Sequence, residues 1–329
     1  MNSKNDIIQA VPTNIITGFL GAGKTSAILH LLKNKPSEER WAVLVNEFGE
    51  VGVDGSLFEG QHSQKQGVFI REVPGGCMCC AAGLPMQVAL NQLLANAKPD
   101  RLLIEPTGLG HPKEVLALLS AHHYREILSL QKTITLVDAR KLSDKRYTEH
   151  DTFNQQIAMA DTIVGNKTDL YNNADKLSLT TYIKKHCPLY VNLVFSQQGE
   201  FDPSTLEGPT SLHLKSSHHP HKSEKKPQLL NLPIPECGFI KAVNEGEGFK
   251  SVGWRFSSDK IFNHAKLQTF LTGIHAERMK AVFLTNAGIF GYNLTADALT
   301  EIELDDCMES RIEIISTNIS DLLETQILE

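Results

Sequence analysis

The sequence predicts an α/β protein, in which a parallel sheet with helices on both faces precedes a smaller C-terminal α+β domain. Three observations carry that prediction. From Thr13 to about Ser196, short apolar runs alternate with amphipathic stretches, as in a sheet buried between helices. From Asp202 to Pro235 the periodicity gives way to Pro, Ser, Lys and His, which is the composition of a linker. Beyond it, alternating strand patterns return with two helical ones. The expected domains are therefore 1–201, a linker over 202–235, and 236–329.

The strand candidates of the first domain, in order, are Asn14 to Thr17, Trp41 to Val45, Val68 to Glu72, Arg101 to Glu105, Thr133 to Asp138, Asp161 to Asn166 and Leu189 to Phe195. Each is a short β-branched or aliphatic run bounded by charge, Gly or Pro. Helices are expected over Thr25 to Lys33, Pro85 to Ala97 and Pro112 to Ser120. Pro112 suits a first helical turn, where its missing N–H would have no partner anyway. In the second domain, strands are expected at Ser251 to Phe256, Lys280 to Leu284, Ile289 to Leu294 and Arg311 to Ser316. Helices are expected near Asn263 to Thr272 and Ser320 to Leu328.

Composition narrows the function. The chain has 329 residues, too many for a disulfide knot, and 41% hydrophobic against 21% charged residues is enough apolar material for real cores. Thirty-two basic against 38 acidic residues give a net charge of -6, so no general attraction to nucleic acid or anionic membrane is expected. No apolar run is long enough to span a bilayer, and the expected compartment is the cytoplasm.

Gly18-Phe19-Leu20-Gly21-Ala22-Gly23-Lys24-Thr25 fits the phosphate-loop pattern, directly after a strand and directly before a helix. The sheet is thereby expected to be that of a P-loop NTPase. Backbone N–H groups of Gly18, Gly21, Ala22, Gly23 and Ser26 would surround phosphate oxygens, Lys24 would reach the β- and γ-phosphates, and the Thr25 hydroxyl would ligate Mg²⁺. A glycine-rich turn with a solvated lysine is the competing reading.

Asn166-Lys167-Thr168-Asp169 begins at a carboxyl strand end, the edge where doubly wound sheets bind ligands. An Asp there can accept from guanine N1–H and the exocyclic amine. Each hydrogen bond to a charged group contributes about 1.5 to 3 kcal/mol, enough for two to separate GTP from ATP by over tenfold. A polar turn is the alternative. Glu105, ending the run Leu102-Leu103-Ile104, can hold a magnesium-bound water, and the Gly108 N–H can sense the γ-phosphate. The alternative is an acid capping a strand end in solvent. Between these motifs Asn46-Glu47-Phe48-Gly49-Glu50 and Asp54 form an acidic segment where a nucleotide-sensing switch would lie, with Glu50 a further candidate metal ligand.

Cys77, Cys79 and Cys80 follow Pro74-Gly75-Gly76. Residues two apart share a side of an extended chain, so Cys77 and Cys79 can converge on one ion, joined by Cys80 if the backbone turns. Three thiolates suit a soft or borderline ion, and they leave a tetrahedral one a ligand short, as befits an ion to be passed on. Buried small cysteines or a redox pair are the alternatives. His213, His218, His219 and His221 crowd the linker and can collect a transition ion or be solvated filler.

In this order, GFLGAGKT, NEFGEVGVDG, GGCMCC, EPTG and NKTD resemble the CobW-like GTPases of metal homeostasis, and within them the YeiR-like zinc-binding branch. The resemblance covers Pro12 to Ser196 and continues more weakly through Val252-Gly253-Trp254 and Glu277 to Val282. It implies a P-loop GTPase whose thiol motif binds zinc or cobalt and which serves as a metallochaperone or metal-insertion factor for a client metalloprotein. By match, Lys24 and Thr25 take the phosphate and magnesium roles and Glu105 the acidic one. Asn166, Lys167 and Asp169 take the guanine role, and Cys77, Cys79 and Cys80 the metal. Some relatives carry an extra acid where this chain has Val45. No residue stands out as a general base, so slow intrinsic turnover is expected. The ligands expected are thus GTP or GDP, Mg²⁺, and Zn²⁺ with Co²⁺ as alternative; oligomeric state is left open, a homo-oligomer included. The competing functions are a P-loop kinase of a small metabolite, and a metal buffer or sensor whose nucleotide site is only structural.

Overall fold

The computed structural model describes residues 8–45, 67–73, 84–187, 191–212, 234–246, 248–295, 297–304, 307–319 and 322–328. The expectations placed on Glu50, Cys77, Cys79, Cys80, His213, His218, His219 and His221 lie outside the described residues. The described chain forms two compact units, the first ending with Leu212 and the second beginning at Ile234.

The first unit is built on an eight-stranded, all-parallel sheet. Its strands are β1 (Val11–Gly18), β2 (Trp41–Val45), β3 (Val68–Glu72), β4 (Arg101–Glu105), β5 (Leu128–Leu130), β6 (Ile134–Val137), β7 (Thr162–Gly165) and β8 (Asn192–Phe195). The order is β3-β2-β4-β1-β6-β7-β8, with β5 also on β1. β1 is central because its eight residues are almost wholly buried, as a strand covered on both faces requires. One edge of β1 pairs first with β5 and then with β6, the two separated by 131–133.

Helix α2 (Leu84–Ala97) and α3 (Pro112–Leu119) bury Leu90, Leu93, Val115 and Leu116 in one cluster with Ile15, Leu44, Leu102 and Ile104. The alternate strand residues Ile16, Val43 and Leu103 are equally buried, and period two sends them to the opposite face. Helix α1 (Lys24–Lys33) buries Ala27, Ile28, Leu31 and Leu32, none of which joins the first cluster. Helices α4 (Asp151–Ala158) and α5 (Asn173–His186) follow β6 and β7 respectively. The start of α5 is fixed by a capping box between Asn172 and Asp175.

Compact packing runs on past residue 201, where the composition suggests a linker. Asn14 Nδ2 donates to Lys132 O (2.9 Å) and Leu206 O (2.8 Å), while Arg101 pairs with Glu207. Asp161 accepts from Thr133 N (2.8 Å), Thr210 Oγ1 (2.7 Å), Ser211 N (2.8 Å) and Ser211 Oγ. Side-chain contacts, not periodicity, hold 202–212, so composition alone misplaces the end of the unit.

The second unit is a six-stranded antiparallel sheet in the order β13-β12-β11-β14-β10-β9. Its strands are β9 (Phe239–Gly246), β10 (Phe249–Phe256), β11 (Arg278–Thr285), β12 (Gly288–Leu294), β13 (Leu299–Leu304) and β14 (Arg311–Ser316). Val252, Trp254 and Phe256 alternate onto one face with Met279, Ala281, Phe283, Ile312 and Ile314. Leu267 and Leu271 of α6 (His264–Thr272) and Ile327 of α7 (Leu322–Leu328) pack with them. Among the described residues no helix is long and apolar enough to cross a membrane.

Candidate functional site

The site assembles where the strands of the parallel sheet end. β1 runs out at Gly18, and the loop to α1 turns through Gly18, Gly21 and Gly23 at φ of 148°, 70° and 98°. Side chains rarely tolerate such angles. A Cβ on Gly18 would stand 2.5 Å from Leu136 O, and one on Gly23 would collide with Asn166 Nδ2. The loop is therefore glycine-bearing for packing reasons as well as for turning. Gly23 caps α1 and contributes no side chain, so the first-turn N–H groups and the positive end of the helix dipole face the loop.

Lys24 lies beneath this arch, only 6% exposed, with Nζ 2.9 Å from Gly18 O. Thr25 Oγ1 donates to Glu105 Oε1 at 3.2 Å, which brings together two residues eighty positions apart. Glu105 is 3% exposed at the end of β4, and Ile104 lies beside Ile15 in the neighbouring β1. Gly108 follows closely. A Cβ there would sit 3.2 Å from both Leu20 N and Lys24 Nζ, so the loop after β4 shares the cradle. Ser26 is exposed at the start of α1.

Asn166, at the end of β7, is 1% exposed and ties the site together. Its Nδ2 donates to Ala22 O (2.9 Å), while its Oδ1 accepts from Ser196 Oγ (3.0 Å) and Gly199 N (2.9 Å). The structure thus gives Asn166 a bracing role, holding the phosphate loop to the turn after β8. Lys167 adopts φ 66°, and its Nζ lies 3.9 Å from Asp138 Oδ2 at the end of β6. Asp169 is exposed in the following turn, Thr168–Leu170.

Three groups at this edge carry no short sequence motif. The turn Ser196-Gln197-Gln198-Gly199 meets Asn166 as described, and Ser196 O accepts from Thr168 N at 3.0 Å. Tyr171 donates to Val137 O (3.2 Å) and accepts from Ala139 N (2.8 Å); burial and nearby Asp138 raise its pKa, keeping the phenol protonated. Gln156 of α4 donates to Gly108 O and Gly110 O. Only the position of the first group, just past an apolar run at a carboxyl strand end, could have pointed to it.

Among the described residues no group of three or more His, Cys, Asp or Glu side chains could hold a metal ion. Of the described cysteines, Cys187 is half-buried, and burial pushes its thiol up to about 11, away from the thiolate that ligates metal.

A family model described as the CobW/HypB/UreG nucleotide-binding domain matches residues 12–191. The chain belongs to that family. The CobW/HypB/UreG match contains the phosphate loop, Glu105 and the Asn166–Asp169 turn. The zinc chaperone YeiR of Escherichia coli (strain K12) is 41% identical over 315 residues, 94% of each chain. The zinc chaperone CobW of Pseudomonas aeruginosa is 28% identical over 246 residues, 65% of each. The crystal structure of Zn(II)-bound YjiA GTPase from E. coli aligns over 97% of this chain and 98% of its own, at 18% identity and a TM-score of 0.45.

Proposed function

We propose that this protein is a GTPase that couples its nucleotide state to zinc binding and acts as a metallochaperone or metal-insertion factor. One observation carries the reading: the phosphate cradle, the Thr25–Glu105 pair and the turn bearing Asp169 meet at one sheet edge, in a chain 41% identical to a protein named a zinc chaperone along almost its whole length.

The phosphate loop supplies backbone N–H groups and the α1 terminus to the phosphates, and Lys24 adds a fixed positive charge. These donors are held before substrate arrives, so little reorganisation accompanies charge development on the leaving phosphate. Gly108 stands where an N–H can meet a γ-phosphate. Thr25 Oγ1 and Glu105 Oε1, 3.2 Å apart, are hard oxygen donors that suit Mg²⁺. Bound there, Mg²⁺ supplies charge neutralisation at the phosphates. Asp169 reads guanine from the far side of the pocket. Lys167 flanks it, and Asn166 holds the two halves in register. Zinc is cargo in this scheme, held by Cys77, Cys79 and Cys80 as three thiolates, with Glu50 and the His218, His219 and His221 tract as further donors.

The reading is tested on one purified sample by phosphate release from GTP and by competition of GTP, ATP and XTP for the site. Hydrolysis with GTP preferred over ATP is expected, and Asp169→Asn should move preference toward XTP by at least roughly tenfold, for loss of charge-assisted hydrogen bonds. Equal binding of ATP and GTP, or transfer of phosphate to a metabolite, would return the small-molecule kinase. Zinc held stoichiometrically after replacing all three cysteines with Ser would relocate the cargo site.

A further inference from the structure

We propose that Gln156 is the positioning residue of the phosphate-sensing loop, setting the Gly108 N–H against the phosphate cradle; the proposal rests on the GTPase reading. Gln156 lies on the buried face of α4, 1% exposed. Its Nε2 donates to Gly108 O at 3.0 Å and to Gly110 O at 3.2 Å. An amide nitrogen has two hydrogens, so both are used on one loop. Its Oε1 is buried with no hydrogen-bond partner among the described residues, so the amide is held by its donor side alone.

The loop it grips is closed on itself in its middle, and at its end His111 Nδ1 lies 3.1 Å from Gln155 Oε1 of the same helix. Gly110 N donates to Thr107 O at 3.0 Å, and Leu109 N to Thr107 Oγ1 at 3.2 Å. Neither bond refers the loop to the rest of the unit, whereas Gln156 does. Its own backbone is fixed in turn, because Thr135 Oγ1 on β6 donates to Gln156 O at 2.9 Å. Three residues earlier on the same helix, Phe153 sets its ring edge-on to Phe19 of the phosphate loop, with centroids 5.9 Å apart. One helix therefore touches both the loop that holds phosphates and the loop that senses the last of them. Fixing the carbonyls of Gly108 and Gly110 fixes the Gly108–Leu109 and Gly110–His111 peptide planes, and so the tilt of the segment from which the Gly108 N–H projects.

Gln156→Met keeps length and volume without the donors, and Gln156→Glu keeps shape while presenting an acceptor to two carbonyls. Both are measured against the full-length wild type for kcat, KM, and the affinities of GDP and a non-hydrolysable GTP analogue, with thermal midpoints recorded. A positioning role predicts kcat lowered at least tenfold, GDP affinity within twofold, and a GTP-analogue to GDP ratio lowered at least fivefold. Unchanged kcat, or equal weakening of both nucleotides, overturns it and assigns Gln156 to folding alone. If neither variant folds, hydrogen exchange of wild-type residues 106–111 decides: stronger protection with the GTP analogue than with GDP is expected, and equal protection overturns the proposal. A wild type that does not hydrolyse GTP would instead remove the GTPase reading itself.

Discussion

Replacing Asn166 with Ala removes the brace between the phosphate loop and the turn after β8. Three hydrogen bonds disappear, to Ala22 O, Ser196 Oγ and Gly199 N, each between 2.9 and 3.0 Å in length. The side chain is buried. A buried backbone group left without a partner costs about 1–3 kcal/mol, so the orphaned Ala22 carbonyl and Gly199 N–H together imply about 3 kcal/mol, allowing for water that enters the gap. For a unit of this size that lowers the thermal midpoint by about 6–12 °C. Nucleotide binding should weaken at least tenfold for GTP and GDP alike, because the loop that holds their shared phosphates loses its tether. The GTP-to-XTP affinity ratio should stay within twofold, since Asp169 remains. Calorimetry and fluorescent-nucleotide titration read both effects. A loss below about 1 kcal/mol, or a change confined to base preference, would refute the bracing role.

Two other perturbations follow from the same contacts. Asp161→Ala strips four hydrogen bonds from Thr133, Thr210 and Ser211; it should cost about 2–4 kcal/mol and open 207–212 to protease, and an unchanged digestion pattern would contradict the packing of that segment. Burial raises the Cys187 thiol from an ordinary 9.0 to about 11, so the protonated form's contribution to stability is fully present below pH 9 and lost as pH rises through 11. At pH 8.5, iodoacetamide should therefore label exposed Cys237 well before Cys187, and equal rates would count against that burial.

Much of this arrangement is legible in the sequence, and the exceptions have physical reasons. β2, β3, β4 and β14 occupy the residues their apolar runs mark. β5 is only Leu128-Ser129-Leu130, too short to show a period. β9 and β13 are polar for strands: β13 is a sheet edge with three exposed glutamate or isoleucine positions in a row, and β9 exposes Val243. α5 buries only Leu179 and Ile183 in fourteen residues, so its amphipathic signal is faint. At the site, the phosphate loop is written in contiguous residues and reads directly. The partners of Asn166 are up to 144 positions away, and the bond from Gln156 to Gly108 spans 48, distances over which local spacing carries no information.

The coupling of nucleotide to cargo is tested most directly by titrating Zn²⁺ into one preparation under three conditions: with a non-hydrolysable GTP analogue, with GDP, and without nucleotide. The account predicts affinities that differ at least fivefold between the two nucleotides, with zinc altering nucleotide affinity by the same factor, as linkage requires. Three superimposable titrations would contradict it.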